Sequence, residues 1–597
     1  MSHPARVIDV GDPAELAPAL RDVERLTRER GWYAAGFVTY DAGAAFGLRT
    51  RAPDGSMPLA WFALFDREHV STTEARPLAA AAYTIAGLTP SIDQAAFDAA
   101  FAAVRDYIGR GDTYQVNYTF DLRGRFDGDA AGFFADLVAT QRGSYSAYIE
   151  TGSTVICSAS PELFFARTGQ DLVTRPMKGT ARRGRTLEED AQAAARLRES
   201  PKERAENVMI VDMMRNDLGR IADTGTVSVP ELFSVERYPT LWQMTSTVTA
   251  RSAADLASIF AALHPSASVT GAPKVRTAEI ISTIEPRPRG VYTGAIGVVM
   301  PDGTAQFNVA IRTAVIDVAS GRLTFGVGSG IVWDSQSASE YQECLLKGAV
   351  LVRGPQRIDL LETMKWTPDG GFFLLDRHLR RLERSARYFA YPWREASLRT
   401  ALERAVSGQS APQRVRLTYS SAGDPHVECT PLPAGTIEPA RLGIASTPID
   451  PASVFLYHKT TERTVYADAM RPDCDDVVLW NPAGDVTEST LGNIVVDIGG
   501  RKITPPADAG LLPGTFREEL LERGEIAEAR VTLDDLQSAS RVWIVNSVRE
   551  WWEAELRRPE GVTDDRPEGP HYMANAAAAT PNSASAATPT TAKRSQR

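Results

Sequence analysis

Arg175-Pro176-Met177-Lys178-Gly179-Thr180 is the stretch on which the reading of the first half of the chain turns. A glycine beside a lysine lets backbone approach a ligand closely, and a shielded lysine amine can act as a nucleophile. Alone, such a lysine belongs on a surface turn at a strand end. Two acidic pairs and a glycine-dense loop around it point instead to a site.

Downstream, Ser200-Pro201-Lys202-Glu203-Arg204-Ala205-Glu206 predicts a helix start, with Ser200 as N-cap, Pro201 at N1 and Glu203 closing a capping box. Glu206, three residues on, shares the face of Glu203. Ser337-Ala338-Ser339-Glu340-Tyr341-Gln342-Glu343 repeats the pattern and continues to Lys347 on the same face. Two such faces brought together would cluster carboxylate oxygens suited to Mg²⁺, and mutual repulsion disfavours the cluster without a cation. Solvated helix faces and a plain cap are the ordinary alternatives. Between the pairs, Ser268-Val269-Thr270-Gly271-Ala272-Pro273-Lys274 reads as a compact turn able to offer backbone N–H groups to an anion. It lacks the spacing of a Walker A loop. Gly326-Val327-Gly328-Ser329-Gly330 is a second glycine-dense turn. Arg312 suits a carboxylate fork, or equally an ordinary strand edge.

The bulk of the chain fits this picture. At 597 residues it exceeds one ordinary core, so two or more domains are expected. Hydrophobic content of 43% and charged content of 23% are those of globular protein. A formal charge of −10 argues against nucleic acid or an anionic membrane as partner. Cys157, Cys344, Cys429 and Cys474 form neither a disulfide framework nor a zinc pattern, which with the absence of a signal core or long apolar run predicts a cytoplasmic protein.

Strands are expected within Gly31–Tyr40, in a Ser146–Cys157 hairpin, at Phe372–Leu375, Ile494–Val496 and Val542–Val545, and helices at Phe97–Ile108 and Arg377–Ala390. The pattern breaks near Val352–Gln356 and restarts. Residues 1–350 and 358–556 are therefore read as two domains, 351–357 as a linker, and 557–597, rich in Ala, Thr, Ser and Pro, as a disordered tail.

Taken in order, the first-half segments resemble the chorismate-utilising enzymes, which include anthranilate synthase, isochorismate synthase and aminodeoxychorismate synthase component I. The matching runs are Gly111–Asn117, Ser160-Pro161-Glu162-Leu163, the Lys178 run, Ala205–Gly219, Val269–Lys274, Arg289-Gly290-Val291-Tyr292, Ala310–Thr313 and Gly330–Glu343. The resemblance implies an α+β unit with a β-sandwich core and outer helices. It implies Mg²⁺ held by Glu206 and Glu343 with Glu203 and Glu340 behind them, and chorismate bound by Tyr292, Arg312, Lys347, Gly330 and the Thr270-Gly271 loop. Anthranilate synthases usually carry alanine where this chain has Lys178, whereas the aminodeoxychorismate branch carries lysine. In that branch the amine attacks ring C2 as the C4 hydroxyl leaves, and ammonia then enters at C4. Glu162 matches a carboxylate serving acid–base steps. Gln243 departs from the histidine often found in its segment, and an amide cannot protonate a leaving group.

In the second half, His458-Lys459-Thr460-Thr461, Asp485–Ile494, Gly510–Arg517 and His378–Leu382 together supply a lysine, an acid, a cation and backbone amides. These are the groups a pyridoxal phosphate site needs. Their order resembles class IV (fold-type IV) pyridoxal-phosphate enzymes of α/β fold, which include amino acid transaminases and aminodeoxychorismate lyase. The resemblance implies Lys459 as the cofactor-bearing lysine, Glu488 opposite the pyridine nitrogen, and Arg381, Gly514 and Thr515 at the phosphate. A homodimer through this domain is a candidate arrangement. The fusion favours a lyase that eliminates pyruvate from 4-amino-4-deoxychorismate, leaving 4-aminobenzoate, a folate precursor. An amino acid transaminase and a degenerate docking module are the alternatives. No glutaminase motif surrounds the cysteines, so ammonia is expected from a separate glutamine amidotransferase subunit or from free ammonium.

Overall fold

The computed structural model describes residues 1–72, 82–351, 358–432 and 438–557. The expected linker, apart from Leu351, and the expected tail beyond Arg557 lie outside the described residues.

The N-terminal unit is built on two antiparallel sheets, of ten and seven strands. Phe37, Ile149, Ile156, Val291, Ile296 and Ala310 fill the space between strands of both and form a shared core. The ten-stranded sheet is covered outside by helices Pro13–Arg30 and Leu256–Leu263, through Leu16, Leu20, Val23 and Phe260. The seven-stranded sheet is covered by Gln94–Gly109, Lys274–Ile284 and Ser337–Gly348, through Phe97, Ile280, Ile281 and Tyr341. This is the expected sandwich with outer helices.

Local outcomes follow from local chemistry. Helix Pro201–Gly219 starts as expected, the Ser200 hydroxyl accepting from the Glu203 N–H at 3.4 Å. Only that half of the capping box forms. Helix Ser337–Gly348 begins without a side-chain cap, at Gln336, because Ser337 turns its hydroxyl to Asp98. The Ser268–Lys274 segment is more tightly held than an open turn. Gly271 and Ala272 pair as a short strand with Val116 and Gln115, and a helix starts at Lys274. The strand expected at Phe372–Leu375 shrinks to Gly371–Phe372, since Leu374 takes φ +57° and opens helix Leu375–Phe389.

The C-terminal unit has two layers of its own. A four-stranded antiparallel sheet packs on helices Leu375–Phe389 and Glu395–Val406 through Leu379, Leu382, Leu398 and Leu402. An eight-stranded mixed sheet has Val478, Val486, Ile494, Val496 and Ile544 at its core. Strand Ala440–Ile444 runs parallel to both Asp476–Trp480 and Glu550–Leu556, the α/β signature expected. The units meet where the Lys178 strand ends. Arg183, paired with Asp190, donates to the Tyr388 carbonyl at 2.9 Å, and the Tyr388 hydroxyl returns a bond to the Gly184 carbonyl at 2.7 Å. Arg185 donates to the Tyr457 hydroxyl at 2.7 Å. No helix among the described residues is long and apolar enough to cross a membrane.

The sandwich is pinned by one buried ion pair. Arg289 makes a fork on Glu285 at 2.7 and 2.9 Å and donates to the carbonyls of Asn117 and Val269. Glu285 also accepts from the N–H and hydroxyl of Thr119. The pair thus ties strand Gln115–Gly128 to the loop before helix Lys274–Ile284. Removing one partner leaves a buried charge uncompensated, so Arg289→Ala should destabilise this unit by about 3–5 kcal/mol. Guanidinium unfolding followed at the N-terminal transition measures it.

Candidate functional site

Between Met177, opposite Thr245, and Thr180, opposite Gln243, strand Met177–Arg182 spends one residue more than its partner strand. Such a bulge re-aims a side chain. Gly179 accommodates it with φ +103°, and a Cβ there would lie 3.1 Å from Glu203 Oε2 and 3.2 Å from Met244 Cβ. The bulge directs the Lys178 amine to Glu206, 3.4 Å away on helix Pro201–Gly219. The same amine lies so close to Gly330 that a Cβ there would approach Nζ to 2.7 Å.

Four carboxylates feel this ammonium. Glu162 is fully buried, and burial pushes its carboxyl up to about 7 against the opposing pull of the Ser268 hydroxyl, which donates at 2.6 Å, and of Lys178. Glu203 is raised by burial and then by Glu206. Glu343 is raised by burial but held below the usual range by Lys347 at 2.8 Å, with Lys178 and Arg312 helping. Glu206 makes the direct pair. Glu340 stands beside them, accepting from the Ser329 hydroxyl. The donor chemistry is that of a hard divalent cation, and Glu206 adds like-charge repulsion to the burial that raises Glu203. Among the described residues no three acidic, His or Cys side chains converge tightly enough to hold a metal ion as they stand.

Across the cleft, the Tyr292 ring lies over Gly326, where a Cβ would come within 2.1 Å of it. Burial pushes its hydroxyl up and lowers the guanidinium of its neighbour Arg312. Arg312 bonds Gln141 and lines a small cavity with Met177, Pro161, Tyr238 and Gln243. Its φ of +53° is strained for a non-glycine residue, as ligand clamps often are. Lys347 also donates to the Gly328 carbonyl at 2.8 Å. Thr270 and Gly271 are less available than expected: the Thr270 hydroxyl is spent on the Ser266 carbonyl, and Gly271 is paired with Val116. Lys274 is buried against Asp217 at 2.5 Å, an internal pair. Sequence reasoning missed Gln115. Its amide is wholly buried with neither end hydrogen-bonded, 3.3 Å from the Cβ position of Gly330 and therefore beside Lys178. Its place in the Gly111–Asn117 run was the available signal.

The second lysine sits in the opposite electrostatic setting. Lys459 is buried and pushed down to about 7, by desolvation first and then by Arg381 and Arg463. Glu488, also buried, is pushed up to about 7 by desolvation and accepts from the Tyr466 hydroxyl at 2.8 Å. Gly514 caps helix Thr515–Glu522, and a Cβ on it would lie 2.1 Å from Asn493 Oδ1. A helix start with free N–H groups is a ready phosphate seat. Arg381 Nη1 reaches the Pro513 carbonyl at this start, while its other nitrogens fork onto Glu362 at 2.6 and 2.9 Å. Glu362 went unread in the sequence. Burial raises it, but Arg381 and His378 outweigh burial and hold it down to about 2. His378 reaches Thr515 in turn, at 3.3 Å. Amine, acid, cation and helix N-terminus thus converge as a pyridoxal phosphate site requires, and the residues present fit that group. All four cysteines are free thiols.

Comparison with known proteins agrees with both halves. Residues 359–555 match the amino-transferase class IV model. Aminodeoxychorismate synthase component 1 of Klebsiella aerogenes is 43% identical over 245 residues, covering 41% of this chain and 54% of that protein. Anthranilate synthase component 1 of Streptomyces coelicolor is 37% identical over 290 residues, 48% of this chain and 56% of that protein. The chain therefore spans about half the length of the curated relatives it matches. The crystal structure of anthranilate synthase component I from Streptococcus pneumoniae TIGR4 shares the fold, with a TM-score of 0.50 and 24% identity over 59% of this chain and 91% of that one. Because the chorismate binding enzyme model matches residues 5–353, more than half of the sequence, the chain belongs to the chorismate binding enzyme family.

Proposed function

We propose that the N-terminal unit converts chorismate and ammonia to 4-amino-4-deoxychorismate, and that the C-terminal unit removes pyruvate from that product to leave 4-aminobenzoate. The observation that carries the reading is the Lys178 amine, aimed by its bulge at the carboxylate cluster and backed onto Gly330. The relatives named aminodeoxychorismate synthase component 1 support it. That name also supports a separate amidotransferase component as the ammonia source.

In this reading Arg312, Lys347 and Tyr292 bind the chorismate carboxylates. Glu206 and Glu343 would hold Mg²⁺, with Glu203 and Glu340 behind them, and the ion would offset substrate charge. The Lys178 amine, in its neutral form after its ammonium proton is released, bonds to C2, the ring double bonds shift, and the C4–O bond breaks. Glu162, buried and close enough to feel Lys178, gives the departing hydroxyl its proton. Ammonia then bonds to C4, the double bonds return, the lysine leaves C2 as a neutral amine, and the proton shed by the new C4 nitrogen restores Glu162.

In the C-terminal unit Lys459, Glu488, Arg381, Gly514 and Thr515 would hold pyridoxal phosphate, which when bound supplies an electron sink. With its pKa near 7, Lys459 can take and return a proton at neutral pH. Glu488 sets charge at the far end of the site, and Tyr466 fixes its carboxyl. A preserved amine–acid pair argues against a degenerate docking module.

Two measurements test this. The intact chain, given chorismate, ammonium, Mg²⁺ and pyridoxal phosphate, should form 4-aminobenzoate; Lys459→Ala should accumulate 4-amino-4-deoxychorismate, and Lys178→Ala should lose most of both. Anthranilate as main product would overturn the first assignment, and amino-group exchange with a 2-oxo acid would turn the second into a transaminase. Glu162 must be protonated to act as an acid, so chorismate turnover should fall as pH rises through about 7. Glu162→Gln should lower kcat by roughly 10²–10⁴-fold and abolish that limb of the pH profile.

A further inference from the structure

A bulge leaves peptide groups outside the strand ladder, and something else has to hold them. At the Lys178 bulge both freed carbonyls are taken by side chains. Asn207 Nδ2, on helix Pro201–Gly219, donates to the Lys178 carbonyl at 3.1 Å, and Asn207 is itself oriented by the Ser246 hydroxyl at 2.6 Å. Gln243 Nε2, on strand Leu241–Arg251, donates to the Gly179 carbonyl at 2.7 Å. Its Oε1 accepts from the Thr180 hydroxyl at 3.1 Å. The Gln243 amide is thus engaged at both ends, on two successive residues of the bulged strand.

We infer that Gln243 is a positioning residue: it clamps the bulge and thereby sets the direction of the Lys178 amine. An amide suits this task because it offers a donor to a carbonyl and an acceptor to a hydroxyl from one rigid plane. It has no proton to give a leaving group. Glutamine where histidine is common then has a geometric reason, and the leaving hydroxyl draws its proton elsewhere. The inference rests on the proposed role of Lys178.

The test uses the full chain with chorismate, ammonium and Mg²⁺, following chorismate consumption so that the readout does not depend on product identity. Gln243→Ala should lower kcat on the order of tenfold to a hundredfold, since small misplacement of a reacting group is costly, while the KM for chorismate stays within about threefold. The pH limb assigned to Glu162 should not move. Gln243→Glu replaces the donor to Gly179 with a carboxylate oxygen, and should be at least as damaging as alanine. Thr180→Val removes only the outer bond and should lower kcat less; circular dichroism and the unfolding midpoint confirm that each variant folds. Activity preserved or raised in Gln243→Glu, a displaced pH limb, a higher KM with kcat intact, or no change in Gln243→Ala would each overturn the clamp. A wild-type chain that consumes chorismate without forming 4-amino-4-deoxychorismate overturns the function reading instead, and the kcat–KM split of Gln243→Ala is then read on the product it does form.

Discussion

The ion pair between Lys178 and Glu206 organises the N-terminal site. An ammonium held among carboxylates needs space as well as charge balance, and the backbone supplies the space. Gly179 makes the bulge with a positive φ and leaves room for Glu203, while Gly330 leaves room for Nζ itself. A methyl group at either position would press on the very atoms that carry the charge. The acids in turn need the lysine, because burial raises Glu162 and Glu203, and Lys178 is among the groups that oppose it. Sandwich, bulge and carboxylate cluster are therefore interdependent.

The second lysine shows the same physics with the sign reversed. Lys459 is buried near the cations Arg381 and Arg463, so desolvation and like charge both disfavour its ammonium form. Glu362 keeps this arrangement from becoming an excess of buried positive charge. It forks onto Arg381 and meets His378 at 2.6 Å, and so holds the arginine at the start of helix Thr515–Glu522. One lysine thus faces a carboxylate at 3.4 Å, and the other is buried near two guanidinium groups. That difference follows from burial and neighbours, since the two side chains are chemically identical.

The segment leaving the Lys178 bulge is also the one that meets the second unit. Arg183 and Arg185 follow Lys178 closely in sequence and contact Tyr388 and Tyr457, and Tyr457 lies two residues before Lys459. The Arg183–Asp190 pair is nearly inaccessible to solvent, and it holds the guanidinium that donates to the Tyr388 carbonyl across the joint. The loop bearing one lysine and the strand bearing the other are therefore braced by the same few side chains.

What could be read from the sequence divides along a physical line. Lys178, Glu206, Glu343, Lys459, Glu488 and Gly514 were singled out because each belongs to a contiguous run, and the fold brings them into two clusters. Their electrostatic settings were not legible in the sequence. Glu362 lies nineteen residues from Arg381, Asn207 twenty-nine from Lys178, and Gln243 sixty-four from Gly179, and each contact is made by packing across elements. Periodicity places a side chain on a face but does not say which partner that face will meet. The second helix start shows this on a small scale: Ser337 had the residue type of a cap, and a carboxylate from another helix claimed its hydroxyl. Gln115 shows the converse, an amide inside a recognisable run that is left unpaired beside the Lys178 amine. Reaction type is written in the side chains themselves, whereas pKa and aim are written in contacts that only the folded chain brings together.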